Sequence, residues 1–415
     1  MSRASQLQPR VLRVAVDAAA TQPGGGLSYL TQQLPEVAAG GAQLLVFAQA
    51  DIAERLRAVL PSAAFVTVAR SRTLRLAYIH LAMSTVARRW GADVLYCPGS
   101  ATPLLCGTPT VINYQNSHVF SPVKLLRGTA MSVRRVLGWV SAIRSSRIVH
   151  LSHAAAADFY RTTQLQVPVE VIWSGASDVN LAHQQRTAAE SSEDSPPLAS
   201  PRRPYIVAVS NLYRHKRTDL LVTAYLSDPQ LRADYDLLIV GQELEQGIND
   251  EIRQLISSTP VDNSAGAPGE VRLVGYVDGA ALAGLLRDAA VYVSLSERES
   301  FALTPAEALL AGTPVVLSRL PAFHEAYGEW GVFVTSADSA DVVAGIRAAA
   351  AHPPSEDTRA EVRRRLSWEV NGQALLRVLD AAARDGVPSA TDSLRRLHYT
   401  RLPHVARTLL VGRAP

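Results

Sequence analysis

The stretch AAVYVSLSERESFALTPAEALLAGTPVVLS, residues 289–318, decides the fold class. It opens with an apolar run, passes through an acidic loop into an Ala/Leu-rich helix, and ends in a second apolar run after Gly312. Two short β-branched runs joined by one helix are typical of a βαβ unit, whose parallel strands are buried on both faces. The helix start predicts backbone N–H groups and a positive dipole end at the carboxyl edge of the sheet, where anions bind.

The same alternation runs along the whole chain and predicts two doubly wound, Rossmann-like α/β domains. Apolar runs alternate with helical stretches up to Trp173 and start again at Tyr205. Between them lies a polar, Pro/Ser-rich segment without periodicity, which we interpret as a linker or surface loop. The predicted domains are therefore 1–183, a linker at 184–204, a second domain at 205–387, and a basic amphipathic segment at 388–415.

Composition narrows the functional class. A chain of 415 residues with 47% hydrophobic and 19% charged residues is long enough for two globular cores and fits an enzyme. The formal charge of +4 is spread along the chain, which suits anionic ligands and gives no reason to expect nucleic acid as a partner. Two cysteines, Cys97 and Cys106, provide neither a disulfide framework nor metal-ligand spacing.

Localisation is expected to be cytoplasmic. The N-terminus has no signal-peptide core, and no long uncharged apolar run occurs in the sequence. Two basic amphipathic segments leave peripheral contact with the inner face of a membrane open: 121–147 and 388–415. The alternatives are a solvated helix face for the first and packing on the N-terminal domain for the second.

The helix at 304–311 allows two interpretations. Thr304, Pro305 and Glu307 fit the N-cap, N1 and N3 positions of a capping box, and Gly312 fits a helix end. On that interpretation Glu307 only satisfies backbone donors. The alternative is a phosphate site at the same N–H groups, because capping and anion binding compete for them.

The sequence ESFALTPAEALLAGTPVV resembles the signature of the retaining glycosyltransferases of family 4, the group 1 glycosyltransferases. Two Glu residues with seven residues between them precede an Ala/Gly-rich helix and Gly-Thr-Pro-Val-Val. The resemblance implies the GT-B architecture, in which two Rossmann-like domains face each other across a cleft. It also implies a metal-independent hexosyltransferase that needs no cofactor beyond its nucleotide diphosphate sugar, with UDP- or GDP-linked sugars expected.

The resemblance assigns roles to the two glutamates and to the backbone between them. Glu299 is expected to contact donor sugar hydroxyls near the transferring carbon, and Glu307 the ribose hydroxyls. The diphosphate would be held by the backbone of four residues: Ser300, Phe301, Ala302 and Leu303. Members of the family commonly have Gly where this chain has Ser300 and Ala302. Both of these side chains are small, so the ligand can still approach the backbone, but the backbone dihedrals are more restricted than those of glycine.

A second resemblance covers VAVSNLYRHKRTDLLV, residues 207–222. The family binds the donor diphosphate here with an Arg and, five residues later, a Lys. Lys216 matches the Lys, whose charge would stabilise the departing diphosphate in the transition state. Asn211 stands in place of the Arg, so one positive charge is missing unless Arg214 or Arg217 supplies it.

The remaining donor-site candidates follow strands of the second domain. Gly241 ends the run YDLLIVG, and the backbone at Tyr276 and Val277 would meet the nucleobase if VRLVGYVDG serves as it does in the family. The pair Asp234 and Asp236 resembles a D-x-D metal motif, but it lies at the amino end of its strand, so no metal site is expected.

The first domain offers weaker candidates. DAAATQPGGGLSYLTQQL, residues 17–34, resembles the family's N-terminal loop, which makes Gly25 and Gly26 candidates for approach to the donor phosphate; a flexible turn is the alternative. The loop INYQNSHVFSP suggests His118 as a residue that positions the donor sugar, the alternative being an ordinary surface histidine.

Together these patterns predict transfer of a hexose from a nucleotide diphosphate sugar to a hydroxyl, with retention of configuration. By resemblance alone, the expected acceptor is a saccharide or lipid-linked saccharide in cell-surface polysaccharide biosynthesis, such as exopolysaccharide or lipopolysaccharide. Two other classes stay open: another enzyme of this architecture, such as a nucleotide-sugar epimerase or a phosphorylase, and a degenerate member that binds a sugar nucleotide without catalysis.

Overall fold

The computed structural model describes residues 10–22, 24–99, 101–103, 106–115, 129–176, 203–259, 268–277, 279–335 and 337–396; in 129–135 it describes the backbone alone. The chain divides into two compact units, one of Met1–Gly175 with Trp368–Pro415 and one of Ala176–Ser367. Each unit is built around its own parallel sheet.

The first unit contains a seven-stranded sheet in the order β3-β2-β1-β4-β5-β6-β7. All neighbouring strands are parallel. The strands are β1 (Arg13–Ala18), β2 (Gln43–Ala48), β3 (Ala64–Thr67), β4 (Val94–Cys97), β5 (Thr110–Tyr114), β6 (Arg147–His150) and β7 (Val169–Val171). The helices between them are α1 (Gly25–Ala39), α2 (Ala50–Val59), α3 (Arg72–Leu81), α4 (Met83–Trp90), α5 (Thr129–Arg144) and α6 (His153–Thr163).

The second unit contains a six-stranded parallel sheet in the order β10-β9-β8-β11-β12-β13. Its strands are β8 (Tyr205–Val209), β9 (Asp236–Val240), β10 (Val271–Gly275), β11 (Val291–Ser294), β12 (Val315–Ser318) and β13 (Val332–Val334). A 3-10 helix spans Arg214–Lys216. The α-helices are α7 (Thr218–Ser227), α8 (Pro229–Asp234), α9 (Ile248–Ser258), α10 (Gly279–Arg287), α11 (Thr304–Ala311), α12 (Pro321–Tyr327), α13 (Ser339–Ala351) and α14 (Glu356–Arg365).

Every apolar run that the sequence proposes as a strand forms one, because most of these strands bury side chains on both faces; the residues of β7 and β10 are half-buried. In the second unit the core includes Ile206, Leu237, Val291 and Val316, all fully buried. One strand was missed: β3, with the sequence AFVT, is a short edge strand whose residues are exposed or half-buried. A four-residue run of moderate hydrophobicity carries too little periodicity to be recognised.

The chain returns to the first unit at α15 (Trp368–Asp385), which packs along α1. The Trp368 ring meets Tyr29 edge-on with centroids 5.1 Å apart. Two glycines are required for the close packing of α15 on the first unit. A Cβ at Gly175 would lie 2.5 Å from the Trp368 ring, and one at Gly372 would clash with Glu36.

A buried polar network fixes α15 to the sheet. The Asn371 side chain accepts a hydrogen bond from Gln33 Nε2 at 2.7 Å and donates one to the Trp173 carbonyl at 2.7 Å. Gln33 also forms hydrogen bonds with the phenols of Tyr29 and Tyr96. Both phenol oxygens accept hydrogen bonds from the side-chain amide of Asn113 on β5. A polar network of this kind fixes helix register, because any other register would leave buried groups unpaired.

The boundary between the units therefore differs from the sequence interpretation, which ended the second domain at 387. The structure ends that unit at Ser367, since residues 368–385 bury their apolar face on α1. The predicted linker at 184–204 lies outside the described residues apart from 203–204.

The described part of the predicted C-terminal segment packs on the first unit. It forms α16 (Ala390–Arg395), and Arg396 donates hydrogen bonds to the carbonyls of Ile143 and Ser145 at 2.9 and 2.6 Å. Residues 397–415 lie outside the described part of the chain. Within the ranges described, no helix is both long and apolar enough to span a bilayer.

Replacing Asn371 with Ala should destabilise the first unit by about 2–4 kcal/mol, because the change leaves Gln33 and the Trp173 carbonyl short of buried partners. Urea denaturation measures the loss. Gln373→Ala is the matched control, since that exposed amide lies on the same helix and bonds only Glu369. Equal stability of the two variants would contradict the proposed role of the network.

Candidate active site

The site forms where the strand order of the second unit reverses. β8 lies at the centre of the sheet with β9 on one side and β11 on the other, so successive connections leave in opposite directions. Ligands of doubly wound sheets bind at the carboxyl ends of the strands beside such a switch point. The loops that follow these two strands, 210–217 and 295–303, contain most of the predicted donor-site residues.

Lys216 and Glu299 meet at this point. Lys216 Nζ lies 2.5 Å from Glu299 Oε1, and the two side chains are only 19% and 12% exposed. Each residue comes from a different loop, so the ion pair ties the end of β8 to the end of β11. A pair so far removed from water is costly to separate unless another charge replaces the lost partner.

Three serines and a backbone contact hold the pair in place. Ser296 Oγ donates to Glu299 Oε1 at 2.8 Å, and the Ser296 carbonyl accepts a hydrogen bond from Ser318 Oγ at 2.5 Å. Ser294 Oγ lies 3.4 Å from Ser296 Oγ. The Glu297 amide donates to the His215 carbonyl at 2.8 Å, which joins the two loops a second time. The carboxylate is thus positioned before any ligand arrives.

Neither arginine proposed as a substitute for Asn211 is free for a phosphate. Arg214 forms a bidentate pair with Glu251, at 2.8 and 2.7 Å, and also contacts Glu245. Arg217 contacts Asp219 and Glu297, the latter at 3.0 Å.

A third arginine was missed by sequence reasoning. Nη1 of Arg298 is buried and has no hydrogen-bond partner among the described residues. A guanidinium nitrogen that is withdrawn from water and unpaired is unusual, and this one belongs to the residue before Glu299. The available signal was its place inside the acidic loop ERES.

Ala302 adopts the conformation that its glycine counterpart would favour. Its φ of 65° is left-handed, a region that costs an L-residue free energy. Tyr327 Oη donates to the Ala302 carbonyl at 2.5 Å, which stabilises the strained turn. Because N–H and C=O point in opposite directions across a trans peptide, the Leu303 N–H faces away from Tyr327.

The predicted capping box is not formed. The N-cap of α11 is Leu303, and no side chain caps the helix; Thr304 lies inside its first turn. Pro305 occupies the first turn as expected, and Gly312 ends the helix in the left-handed conformation. Leu303 already has helical dihedrals, with φ −85° and ψ −41°, and its carbonyl accepts hydrogen bonds from the Ala306 and Glu307 amides. The helix therefore starts one residue earlier than predicted, at a residue whose side chain cannot cap it.

Glu307 is half-buried in the first turn of α11, and the described residues give its carboxylate no salt bridge. Burial raises its pKa to about 7. Two buried tyrosines, Tyr292 and Tyr327, lie near both glutamates, and burial together with those carboxylates raises their pKa values. The site therefore holds one compensated and one uncompensated carboxylate.

Gly241 and Asn211 stabilise the local backbone. Gly241 has φ 141°, and a Cβ there would clash with the Ser210 carbonyl. Asn211 Oδ1 accepts a weak hydrogen bond from the Gln242 amide at 3.3 Å. The turns after β8 and β9 approach each other too closely to leave room for a side chain. This local packing explains Gly241, so no ligand is needed to account for it.

The remaining predicted residues of this unit lie in the same region of the sheet edge. Tyr276 follows β10 and is 67% exposed, and Val277 is half-buried. Ser300 and Phe301 are buried, the latter against Tyr327 with ring centroids 5.8 Å apart. Beside Lys216 a cavity of about 20 Å³ opens between the ends of β8 and β11; it is large enough for one water molecule.

In the first unit, Gly25 and Gly26 form the first turn of α1, after β1 at the sheet's own switch point. No side chain caps this helix, and a Cβ at Gly25 would meet nothing within 4 Å. Gly26 faces Gln115, whose Oε1 would lie 3.7 Å from an added Cβ. His118 lies outside the described residues, so its predicted role stays a prediction.

Asp17, a residue that sequence reasoning missed, ends β1 at this edge. Burial raises the pKa of its carboxyl to about 6, although the Ala19 amide donates to it at 3.1 Å. The signal in the sequence was a lone carboxylate at the end of an apolar run. Burial likewise raises the pKa of the Cys97 thiol at the end of β4.

The Asp-Tyr-Asp segment is used structurally. Asp236 is 3% exposed and accepts a hydrogen bond from the Glu270 amide at 2.9 Å. Asp234 accepts one from Gln230 at 3.1 Å. The residues that the structure describes contain no group of three or more metal-ligand side chains.

The part of the chain that contains this site matches a known family model. Residues 203–352 match the family model described as glycosyl transferases group 1. The match lies within the second unit and supports the predicted resemblance to the group 1 glycosyltransferases.

Individual relatives agree with the class. Over 160 residues the chain is 33% identical to the phosphatidyl-myo-inositol mannosyltransferase of Mycobacterium leprae; the match covers 37% of this chain and 40% of that protein. The chain thus spans about two fifths of the length of this curated relative.

Solved structures match over most of the chain. Sucrose-phosphate synthase from Thermosynechococcus elongatus aligns with a TM-score of 0.67 and 17% identity, covering 89% of this chain and all of that one. The Anabaena protein Alr3699/HepE, solved with UDP and glucose, aligns with a TM-score of 0.64, 17% identity and the same coverage. At this identity the likeness shows the fold, two Rossmann-like domains of the GT-B type, as the resemblance implied.

Ala302→Gly should stabilise the protein by about 1 kcal/mol, because glycine adopts φ 65° without the cost that alanine bears. Chemical denaturation gives the difference. The same substitution at Ala344, exposed within α13, should lower stability by about 1 kcal/mol. A loss of stability at both positions would refute the strained geometry.

Glu307→Gln should stabilise the unliganded protein at high pH. The unfolded carboxyl titrates near 4.5 and the folded one near 7, so the native protein loses stability as the pH rises between these values. Glutamine removes this loss. The two proteins should be equally stable at pH 4.5 and differ by about 2 kcal/mol at pH 8, allowing for solvent screening.

Thermal denaturation at several pH values measures this difference. Glu270→Gln is the control, since that side chain is 69% exposed. A difference for Glu307→Gln that does not change with pH would contradict the assigned burial effect.

Proposed function

We propose that the protein is a retaining glycosyltransferase that moves a hexose from a nucleotide diphosphate sugar to a hydroxyl group. The observation that carries the proposal is the Lys216–Glu299 pair at the switch point of a group 1 glycosyltransferase domain. A cation for the diphosphate and an acceptor for sugar hydroxyls stand side by side there. Transfer of a sugar away from a diphosphate leaving group is the reaction that this pair of residues suits best.

The donor is placed with its diphosphate at the N-terminus of α11. That helix has no side-chain cap. Pro305 has no N–H, and the Ala306 and Glu307 amides donate to the Leu303 carbonyl, so an anion would meet the backbone ahead of Pro305 and the positive end of the helix dipole. Leu303 N–H points away from Tyr327, and the backbone 300–303 lies directly before the helix. Lys216 supplies the neighbouring positive charge.

Donor binding exchanges partners within the ion pair. As the diphosphate enters, its charge replaces Glu299 as a partner for Lys216, and the freed carboxylate accepts hydrogen bonds from the sugar. Negative charge grows on the diphosphate as the glycosidic bond breaks, so the ammonium acts most strongly in the transition state. We propose attack from the same face, with the departing diphosphate taking the acceptor's proton.

Glu307 is proposed to accept hydrogen bonds from the ribose hydroxyls. In the unliganded protein its burial raises its pKa to about 7, which is a cost that two hydroxyl donors would offset. Ionisation of Glu307 would therefore be linked to donor binding near neutral pH. Metal-independent operation is part of the proposal.

The alternative of a degenerate member that binds a sugar nucleotide without catalysis loses support, because the loop accommodates the two residues that replace the family's glycines. Ala302 takes the left-handed conformation, and Ser300 is buried at 6% exposure without displacing the loop from Lys216. An epimerase or phosphorylase remains the second candidate class; turnover without a saccharide acceptor, or only with inorganic phosphate, would identify it.

The acceptor is proposed to be a saccharide or lipid-linked saccharide, at the cytoplasmic side of cell-surface polysaccharide assembly. Family resemblance and the name of the mycobacterial relative, a phosphatidyl-myo-inositol mannosyltransferase, support this setting. The first unit is the proposed acceptor domain, with Gly25, Gly26 and His118 as its candidates and Asp17 added by the structure.

Lys216→Gln and Glu299→Gln should each lower kcat for sugar transfer by about 10²–10³-fold, since each removes a charge aimed at the reacting centre. Release of nucleotide diphosphate from a panel of UDP- and GDP-sugars is the assay. Arg253→Gln, a 64% exposed site on α9, is the control and should keep full activity. Unchanged turnover in both active-site variants would refute the site.

Arg298 is proposed to supply the positive charge that Asn211 lacks. Arg298→Gln should weaken nucleotide diphosphate binding by about tenfold, the loss of one charge-assisted contact. Arg214→Gln should have little effect, because that guanidinium is already paired with Glu251. Isothermal titration calorimetry distinguishes the two, and equal affinity of both variants would remove Arg298 from the site.

A further inference from the structure

A cavity of about 240 Å³ lies at the amino edge of the seven-stranded sheet, inside the first unit. Three parts of that unit line it: the chain that leads into β5, the C-terminal end of α5, and residues 387–393. A volume of this size holds about eight water molecules at ~30 Å³ each. The acceptor candidates of the unit, Gly25, Gly26 and Asp17, lie at the carboxyl edge of the same sheet, so the cavity is separate from them.

One wall of the cavity is made of buried threonines. Thr102, Thr108 and Thr110 line it, and each is only 3% exposed. Thr108 Oγ1 has no hydrogen-bond partner among the described residues. The amides of Thr102 and Thr110 donate to Ser141 Oγ and Ser146 Oγ, at 2.9 and 3.2 Å, which fixes the backbone of this wall. A buried hydroxyl without a partner costs free energy, and a polar ligand in the cavity would remove that cost.

The cavity also contains a positive charge that has no counter-ion. Arg144, the last residue of α5, lines the cavity and is exposed. Within the described ranges its guanidinium forms neither an ion pair nor a hydrogen bond. Ser393 of α16 adds a hydroxyl from the C-terminal segment, and none of the lining residues is acidic. The cavity therefore offers several donors and one uncompensated cation.

The acidic side chain next to this lining, Asp392 of α16, is already paired. Its carboxylate accepts hydrogen bonds from the amide and the hydroxyl of Ser389, at 3.1 and 2.6 Å. These hydrogen bonds, together with the charges of Arg395 and Arg396, lower the pKa of Asp392. Arg396 also donates to two carbonyls at the end of α5, which offsets the negative end of that helix dipole. Arg144 is thus left as the charge that a ligand would meet.

We propose that this cavity binds a phosphate group, either inorganic phosphate or that of a small phosphate monoester. Arg144 would form charge-assisted hydrogen bonds with the phosphate oxygens. The hydroxyls of Thr108 and Ser393 would donate to the remaining oxygens. The bound phosphate would tie residues 387–393 to α5 and to the chain before β5. The proposal depends neither on the donor site nor on transferase activity.

A phosphate fits these donors better than a carboxylate or a neutral molecule does. The donors come from three separate segments around the cavity. A tetrahedral phosphate presents its acceptor oxygens in diverging directions, whereas a carboxylate accepts hydrogen bonds close to one plane. A neutral ligand would leave the charge of Arg144 without a counter-ion.

Cys106 provides a direct test, since its half-buried thiol belongs to the lining of the same cavity. The full chain is alkylated with iodoacetamide, an uncharged reagent, and the modified cysteine is identified by mass spectrometry. Because access controls cysteine reactivity, Cys106 should react about tenfold more slowly in saturating inorganic phosphate than in chloride of equal ionic strength. Cys97 is 1% exposed and is the internal reference, which should stay unmodified in both buffers.

Two variants test the assigned contacts. Arg144→Gln should raise the phosphate concentration needed for protection by about tenfold, through the loss of a charge-assisted contact. Thr108→Val keeps the shape of the side chain and should raise it by about threefold, through the loss of one hydroxyl donor. Melting curves show that each variant is folded.

Two further variants serve as controls. Arg161→Gln removes a charge from α6 of the same unit, at a side chain that is 68% exposed. Lys216→Gln removes the cation of the proposed donor site. Both should keep the protection of Cys106 by phosphate, because neither residue lines the cavity.

Glycerol 3-phosphate and acetate complete the set of probes. Stronger protection by glycerol 3-phosphate than by inorganic phosphate would assign the cavity to a phosphate monoester, and equal or weaker protection to free phosphate. Three results would overturn the proposal: no protection by either phosphate, equal protection by acetate, or protection that Arg144→Gln leaves unchanged. Loss of protection in Lys216→Gln would also overturn it, since the phosphate would then be acting from the donor site.

Discussion

The ion pair between Lys216 and Glu299 is the constraint on which the proposed site depends. It joins the loops after β8 and β11 across the point where the strand order reverses, at side chains exposed by less than a fifth. Two buried opposite charges are stable together and costly apart, so the pair holds the loops in register until a third charge enters. A diphosphate is such a charge, which links the local stability of the unliganded site to its proposed chemistry.

Two features near this ion pair lower the stability of the free protein. Ala302 occupies a left-handed conformation, and Glu307 is half-buried without a salt bridge among the described residues. Both are unfavourable in the free protein, and both lie where the donor's phosphates and ribose are proposed to bind. Strain and unpaired charge in one small region are typical of a binding site whose ligand completes it.

Much of this was predictable from sequence because it depends on local patterns. Continuous apolar runs identified the parallel strands, and the spacing of Glu299 and Glu307 with Lys216 identified the resemblance to the group 1 glycosyltransferases that the match over 203–352 supports. Contacts between distant residues were not predictable. The return of α15 to the first unit depends on the hydrogen bond between Asn371 and Gln33, which are 338 positions apart. The periodicity of the sequence does not predict a contact at that separation. The capping box predicted at Thr304 is wrong because the helix begins one residue earlier, directly after the left-handed residue Ala302, whose conformation no local pattern predicts.

Binding of a nucleotide diphosphate at the switch point of the second unit can be measured by thermal denaturation with UDP, GDP, ADP and TDP, each with and without sugar and with a chelator present. A ligand that binds only the folded protein raises stability by about 2.7 kcal/mol at a hundredfold excess over Kd. We expect a shift with at least one nucleotide that persists in chelator and is lost in Lys216→Gln. No shift with any nucleotide, or an equal shift in that variant, would contradict binding at this site.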